Sequence, residues 1–82
     1  MTTLDRVRKV VAEVMRVPLE DVRPTVPIEE LGETDSLTLA EIATALDSEF
    51  DVRVPSEGLI DARSVNDLVA LVESLVSQTS SA

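Results

Sequence analysis

The chain has 82 residues, no Cys, no His and a formal charge of −9. That length holds one domain with a modest core, and the composition removes disulfides, thiolate or imidazole metal sites and the usual general base of nucleophilic catalysis. The acid excess speaks against nucleic acid, whose binding rests on Lys and Arg neutralising phosphates. No apolar run approaches the roughly 18 residues of a membrane span or forms the centre of a signal peptide, so the expectation is a cytoplasmic protein.

From Leu4 to Met15 the residues Leu4, Val7, Val10, Val11, Val14 and Met15 recur at helical spacing, with Arg6, Arg8, Lys9 and Glu13 on other faces. Thr2 and Asp5 form a helix-start pattern, and Pro18 supplies a stop. Valine is a mediocre helix former, so packing must hold this helix. Residues 17–35 carry Pro18, Pro24, Pro27 and Gly32 and read as a long connection, with one short helical turn over Leu19 to Val22. Leu19, Val22, Val26, Ile28 and Leu31 are expected to pin it across the core.

Asp35 or Ser36 is a good N-cap for a helix running to about Phe50. At about 100° per residue, Leu39, Ile42, Ala43, Leu46 and Phe50 fall on the core side, and Leu37, Glu41, Thr44 and Ser48 face outward. Ala43 on the core side and Ala40 near its edge leave room for a cleft beside Leu59 or Ile60, although close helix packing is the stronger reading. Phe50, Val52 and Val54 alternate as a strand would, but the chain offers no partner strand, and residues 51–55 read as an extended connector. Ser56 to Asp61 forms a short helical turn with Leu59 and Ile60 inward. Ser64-Val65-Asn66-Asp67 repeats the start pattern, and Val65, Leu68, Val69, Val72, Leu75 and Val76 stripe a last helix.

These elements predict an all-α fold: a small antiparallel four-helix bundle, three main helices and one short one, with a long first loop. Residues 1–76 form the helical domain and residues 77–82 a flexible tail.

The charge is uneven. Residues 1–28 sum to +1, residues 29–51 to −8 and residues 52–82 to −2. Nearly all of it surrounds Ser36, where a glycine-containing loop hands over to a helix, and this favours a docking surface for basic partners over a merely solubilising face. A catalytic Ser36 would need a base; without His only the single Lys9 is on offer, among other cations and with no recognisable oxyanion hole. The carboxylates lack the spacing of an EF-hand. The expectation is no catalytic residue and no metal.

The run Leu31-Gly32-Glu33-Thr34-Asp35-Ser36-Leu37, continued by Glu41-Ile42, Leu46, Glu49-Phe50 and Val54-Pro55, resembles the signature of the acyl carrier proteins. The resemblance implies a non-catalytic carrier. A separate phosphopantetheinyl transferase would attach 4′-phosphopantetheine from coenzyme A to Ser36, and acyl groups would ride on its thiol as thioesters to acyl transferases, ketosynthases or related enzymes. It also implies a docking role for Asp35, Leu37, Glu41 and Asp47. The chain departs from the pattern in having two residues, Glu33 and Thr34, between Gly32 and Asp35, and in Thr44 and Ser48, where larger apolar or acidic residues are usual. A short chain beginning at Met1 reads as a freestanding monomeric carrier, leaning toward polyketide or related specialised biosynthesis. The alternatives are a fatty acid synthesis carrier, a peptidyl or aminoacyl carrier, which more often has Gly-Gly-x-Ser here, or an unmodified acidic helical adaptor.

Overall fold

In the computed structural model, which describes residues 2–80 except the side chains of 56 and 78–80, the Thr2 hydroxyl accepts the Asp5 N–H at 3.1 Å and starts α1, Thr3–Met15. The helix stops before Pro18. Arg16 takes the left-handed conformation (φ 58°), and the Val17 N–H donates back to the Ala12 carbonyl at 3.1 Å. α2, Ser36–Phe50, ends the same way: Asp51 has φ 54° and the Val52 N–H donates to the Asp47 carbonyl at 3.2 Å. Neither left-handed residue is glycine, so both ends were invisible as C-cap signals in the sequence.

The long first connection holds two 3-10 turns, Leu19–Asp21 and Ile28–Glu30. Val22, Val26 and Ile28 are buried and Leu31 is half-buried. Leu19, expected among these anchors, is instead 48% exposed. What is held there is its backbone: Arg8 of α1 donates to the carbonyls of Leu19 at 3.1 Å and Val22 at 2.6 Å. Farther on, the Ile28 N–H donates to the Arg63 carbonyl at 2.8 Å and the Asn66 N–H to the Pro24 carbonyl at 2.9 Å. The loop is thereby clamped to the start of the last helix.

Two more helices follow. α3, Ser56–Asp61, follows the connector 51–55, and α4 runs Val65–Ser80. At the start of α4 the Asp67 carboxylate accepts the N–H groups of Arg63 (2.9 Å) and Ser64 (3.2 Å), while the Ser64 hydroxyl accepts the Asp67 N–H at 3.3 Å. This is a reciprocal capping box. The backbone of α4 stays helical past residue 76, so the segment 77–80 extends the helix; 81 and 82 lie outside the described residues.

α1 packs against both α2 and α4, and α3 packs on α2. Val7, Val11, Val22, Ile42, Leu46, Leu68 and Val72 meet in the core with essentially no exposed surface, each contributing roughly 1.5–3 kcal/mol by leaving water. The architecture is the all-α bundle of three long helices and one short one, with no strand among the described residues beyond an isolated Pro27–Ser64 bridge. At the far end of α2, Arg6 of α1 donates to Glu49 Oε2 at 2.8 Å and to the Glu49 carbonyl, and its guanidinium lies 4.3 Å from the Phe50 ring centre. No helix among the described residues is long and apolar enough to cross a membrane.

One expectation fails in α3. Leu59 is buried, but Ile60 is 68% exposed. Adjacent helical residues lie about 100° apart, and this helix packs one narrow face, so only one of the pair can enter the core.

Candidate functional site

The loop before α2 is built against the end of α1. At Gly32 an added Cβ would sit 3.2 Å from the Met15 Cε, which shows how closely the two segments approach. Glu33 then points into solvent, Thr34 is half-buried, and Asp35 precedes the helix in an extended conformation.

Asp35 is the N-cap. Its carboxylate accepts the Thr38 N–H at 2.8 Å, and its carbonyl accepts the Leu39 N–H at 3.0 Å. The bond from the Thr38 backbone, helped by the Thr38 side chain and less by the Leu37 N–H, holds the Asp35 carboxyl below its ordinary range despite slight desolvation. With Asp35 in that role, Ser36 is the first residue of the helix, exposed, and its hydroxyl is not engaged in capping. The Ser36 N–H bonds to no other described residue and lies at the positive end of the helix dipole.

Around Ser36 the surface is acidic and apolar at once. Leu37 is 69% exposed and Glu41 exposed one turn on. Thr44 and Ser48 continue that outward face. Asp47 differs from the other expected docking residues: it is half-buried, and its carboxylate accepts the Val54 N–H at 2.6 Å, tying the connector to α2. Glu49 pairs with Arg6. Part of the acidic run therefore holds the fold together, and the outward charge at the head of α2 falls mainly to its cap Asp35 and to Glu41.

Beside the loop before α2 lies an open cleft of about 690 Å³, a volume typical of small-molecule sites. It is lined by Pro27 to Glu29 of the first connection, by Thr34 and by Leu39 of α2, and by Leu59, Ile60 and Ala62. Arg63, Ser64 and Asp67 line its polar side. A cleft next to Leu59 and Ile60 thus exists, but the alanines do not make it: Ala43 is buried in the core and Ala40 is exposed on the surface. Thr34 and Arg63 had no local signal marking them as lining residues. Arg63 stands next to a capping box, and only the crossing of the first loop brings the two together.

The family model described as "Phosphopantetheine attachment site" matches residues 5–72. The chain is also similar to an acyl carrier protein of Helicobacter hepaticus, 33% identical over 73 residues, covering 89% of this chain and 96% of that one. It is 30% identical over 70 residues to an acyl carrier protein of Thermobifida fusca, covering 85% of this chain and 89% of that protein.

Proposed function

This chain belongs to the acyl carrier protein family, a non-catalytic carrier bearing 4′-phosphopantetheine and serving biosynthetic enzymes, and on that premise we propose that Ser36 is its attachment residue. The observation that carries the assignment is the division of labour at the head of α2: Asp35 caps the helix, which leaves the neighbouring hydroxyl exposed and uncommitted.

Attachment needs little from the chain itself. The Ser36 Oγ attacks a phosphorus of the coenzyme A diphosphate; a new P–O bond forms, the anhydride P–O bond breaks, and the phosphorylated adenosine half leaves. A base on the phosphopantetheinyl transferase takes the serine proton, consistent with a site that has no His of its own. A phosphodiester on Ser36 would lie near the Ser36 N–H and the helix dipole, which favour it, and beside the Asp35 carboxylate, whose charge is already engaged with the Thr38 N–H. When bound, the arm supplies a thiol that holds acyl groups as thioesters.

Asp35, Leu37 and Glu41 form the docking surface, with Leu37 as the apolar contact and the carboxylates steering basic partner surfaces. Asp47 contributes charge from the rim while holding the connector. The partners are acyl transferases, ketosynthases or related enzymes, the protein acts as a cytoplasmic monomer, and the pathway is polyketide or related specialised biosynthesis. The two-residue spacing between Gly32 and Asp35, the modest side chains Thr44 and Ser48, and a cleft with a polar side support this over a housekeeping fatty acid role.

The test is intact mass before and after incubation with coenzyme A and a broad-specificity phosphopantetheinyl transferase. A gain of one phosphopantetheine that disappears in Ser36→Ala supports the assignment. No gain, or a gain that survives the substitution, refutes it.

A further inference from the structure

The loop that leads to Ser36 is fastened at both ends and bare between them. The Leu31 N–H donates to the Ile28 carbonyl at 2.9 Å and the Asp35 carboxylate caps α2, but no backbone group of residues 32–34 hydrogen-bonds to another described residue. Packing holds that stretch. At its start Gly32 lies so near the Met15 side chain that a Cβ there would come within 3.2 Å of the Met15 Cε. Met15 is half-buried and packs against the core, so its thioether supports the loop while staying within reach of a small solute. In a chain without Cys, it is also one of only two methionines, the other being Met1.

We propose that Met15 is an oxidation site for peroxide, and that its sulfoxide releases the loop before α2 and slows attachment at Ser36. The slowing rests on Ser36 being the attachment residue; the release of the loop does not. The Met15 Sδ lone pair attacks one peroxide oxygen, an S–O bond forms and the O–O bond breaks. Sulfur is oxidised by two electrons, and the departing hydroxide takes the remaining proton and becomes water. The new oxygen sits on the atom next to Cε, so it either enters the contact with Gly32 or turns the methyl group out of it. The close approach leaves no room for an added atom, and an oxygen buried without water or a donor is costly. The end of α1 is fixed by the Val17 N–H bonded to the Ala12 carbonyl. The unfastened loop therefore gives way. With less of the protein holding the loop in place, initial transfer of phosphopantetheine should slow about 3- to 10-fold.

The experiment treats the whole chain with hydrogen peroxide and locates the added oxygen by peptide mass. Amide shifts of residues 31–36 are followed by nitrogen–proton correlation spectroscopy, helicity by circular dichroism, and initial transfer from coenzyme A by intact mass. Met15→Leu keeps an apolar side chain of similar size and cannot take the oxygen, while Met1 is present in both proteins. Met15→Gln places a polar side chain there without oxidant. Oxygen on Met15, moved shifts in the loop with helicity retained, and slowed transfer support the proposal when methionine sulfoxide reductase with a thiol reductant reverses them, Met15→Leu escapes them and Met15→Gln reproduces them. No transfer to the unoxidised protein overturns the attachment assignment and the slowing with it, and the shifts still decide the release of the loop. Normal transfer before oxidation combined with an unoxidised Met15, unmoved loop shifts, lost helicity, or the same slowing in Met15→Leu overturns this proposal alone.

Discussion

The Asp47 carboxylate, on the flank of α2, accepts the Val54 backbone N–H at 2.6 Å and so fixes the path from α2 into α3. A residue of the acidic run is therefore also a structural tie. Asp47→Ala is expected to destabilise the domain by about 1–2 kcal/mol, because it leaves a partly buried N–H without its acceptor. Asp47→Asn keeps an acceptor oxygen and removes the charge, and should cost less than about 1 kcal/mol. Urea unfolding separates the two, and equal losses would deny the tie.

Neighbouring Leu59 and Ile60 should behave as opposites. Leu59→Ala is expected to cost about 2–5 kcal/mol by opening a cavity in the core. Ile60→Ala, at a site 68% exposed, should change stability by less than about 0.5 kcal/mol. Denaturation midpoints of the two variants provide the check.

Gly58 lies inside α3, where an added Cβ would meet the Leu71 side chain at 3.4 Å, an ordinary contact. Gly58→Ala should stabilise the protein by roughly 0.5–1 kcal/mol, since alanine loses less backbone freedom on entering a helix. A lower melting temperature would mean that α3 cannot accept the methyl group against α4.

Acid should loosen two helix starts. Hydrogen bonds from Thr38 to Asp35, and from Arg63 and Ser64 to Asp67, hold both carboxyls below their ordinary value of 3.8. The charged forms are favoured in the folded state, so their contribution is complete above 3.8 and is lost as pH falls through that value toward the lowered folded values. Unfolding midpoints followed into acid should decline over that interval, and the double substitution Asp35→Asn with Asp67→Asn should flatten the decline.

Leu37 and Glu41 are exposed and make no contribution to the core. Leu37→Ala should leave the melting temperature nearly unchanged and weaken productive transfer by partner enzymes, about 10-fold if it is the central apolar contact. Glu41→Gln should slow transfer at low salt and converge with the unaltered protein as salt rises. Rates of Glu41→Gln that match at every ionic strength would remove the steering role.

The helices, their helical stripes and the Asp35-Ser36-Leu37 motif were legible in the sequence because they are local. The Val7, Val10 and Val11 spacing, the Thr2 and Ser64 start patterns and the Asp-Ser-Leu motif all lie within a turn or two of chain. Local pattern also left Asp35 and Ser36 open as caps, put Ile60 inside and drew Leu19 as an anchor. The structure decided those points: the Asp35 carboxylate takes the Thr38 N–H, which leaves Ser36 as the first helical residue, and Ile60 and Leu19 turn on which face a neighbouring element covers. The cleft belongs to the same class: Thr34 and Arg63 share it because residues 24–28 hydrogen-bond across to residues 63–66. The sequence alone determined the Asp35-Ser36-Leu37 motif and the helical scaffold through short-range periodicity and capping. The surroundings of that motif, and the ties that Asp47 makes to the Val54 N–H and Glu49 to Arg6, came from the path of the folded chain, which no local spacing encodes.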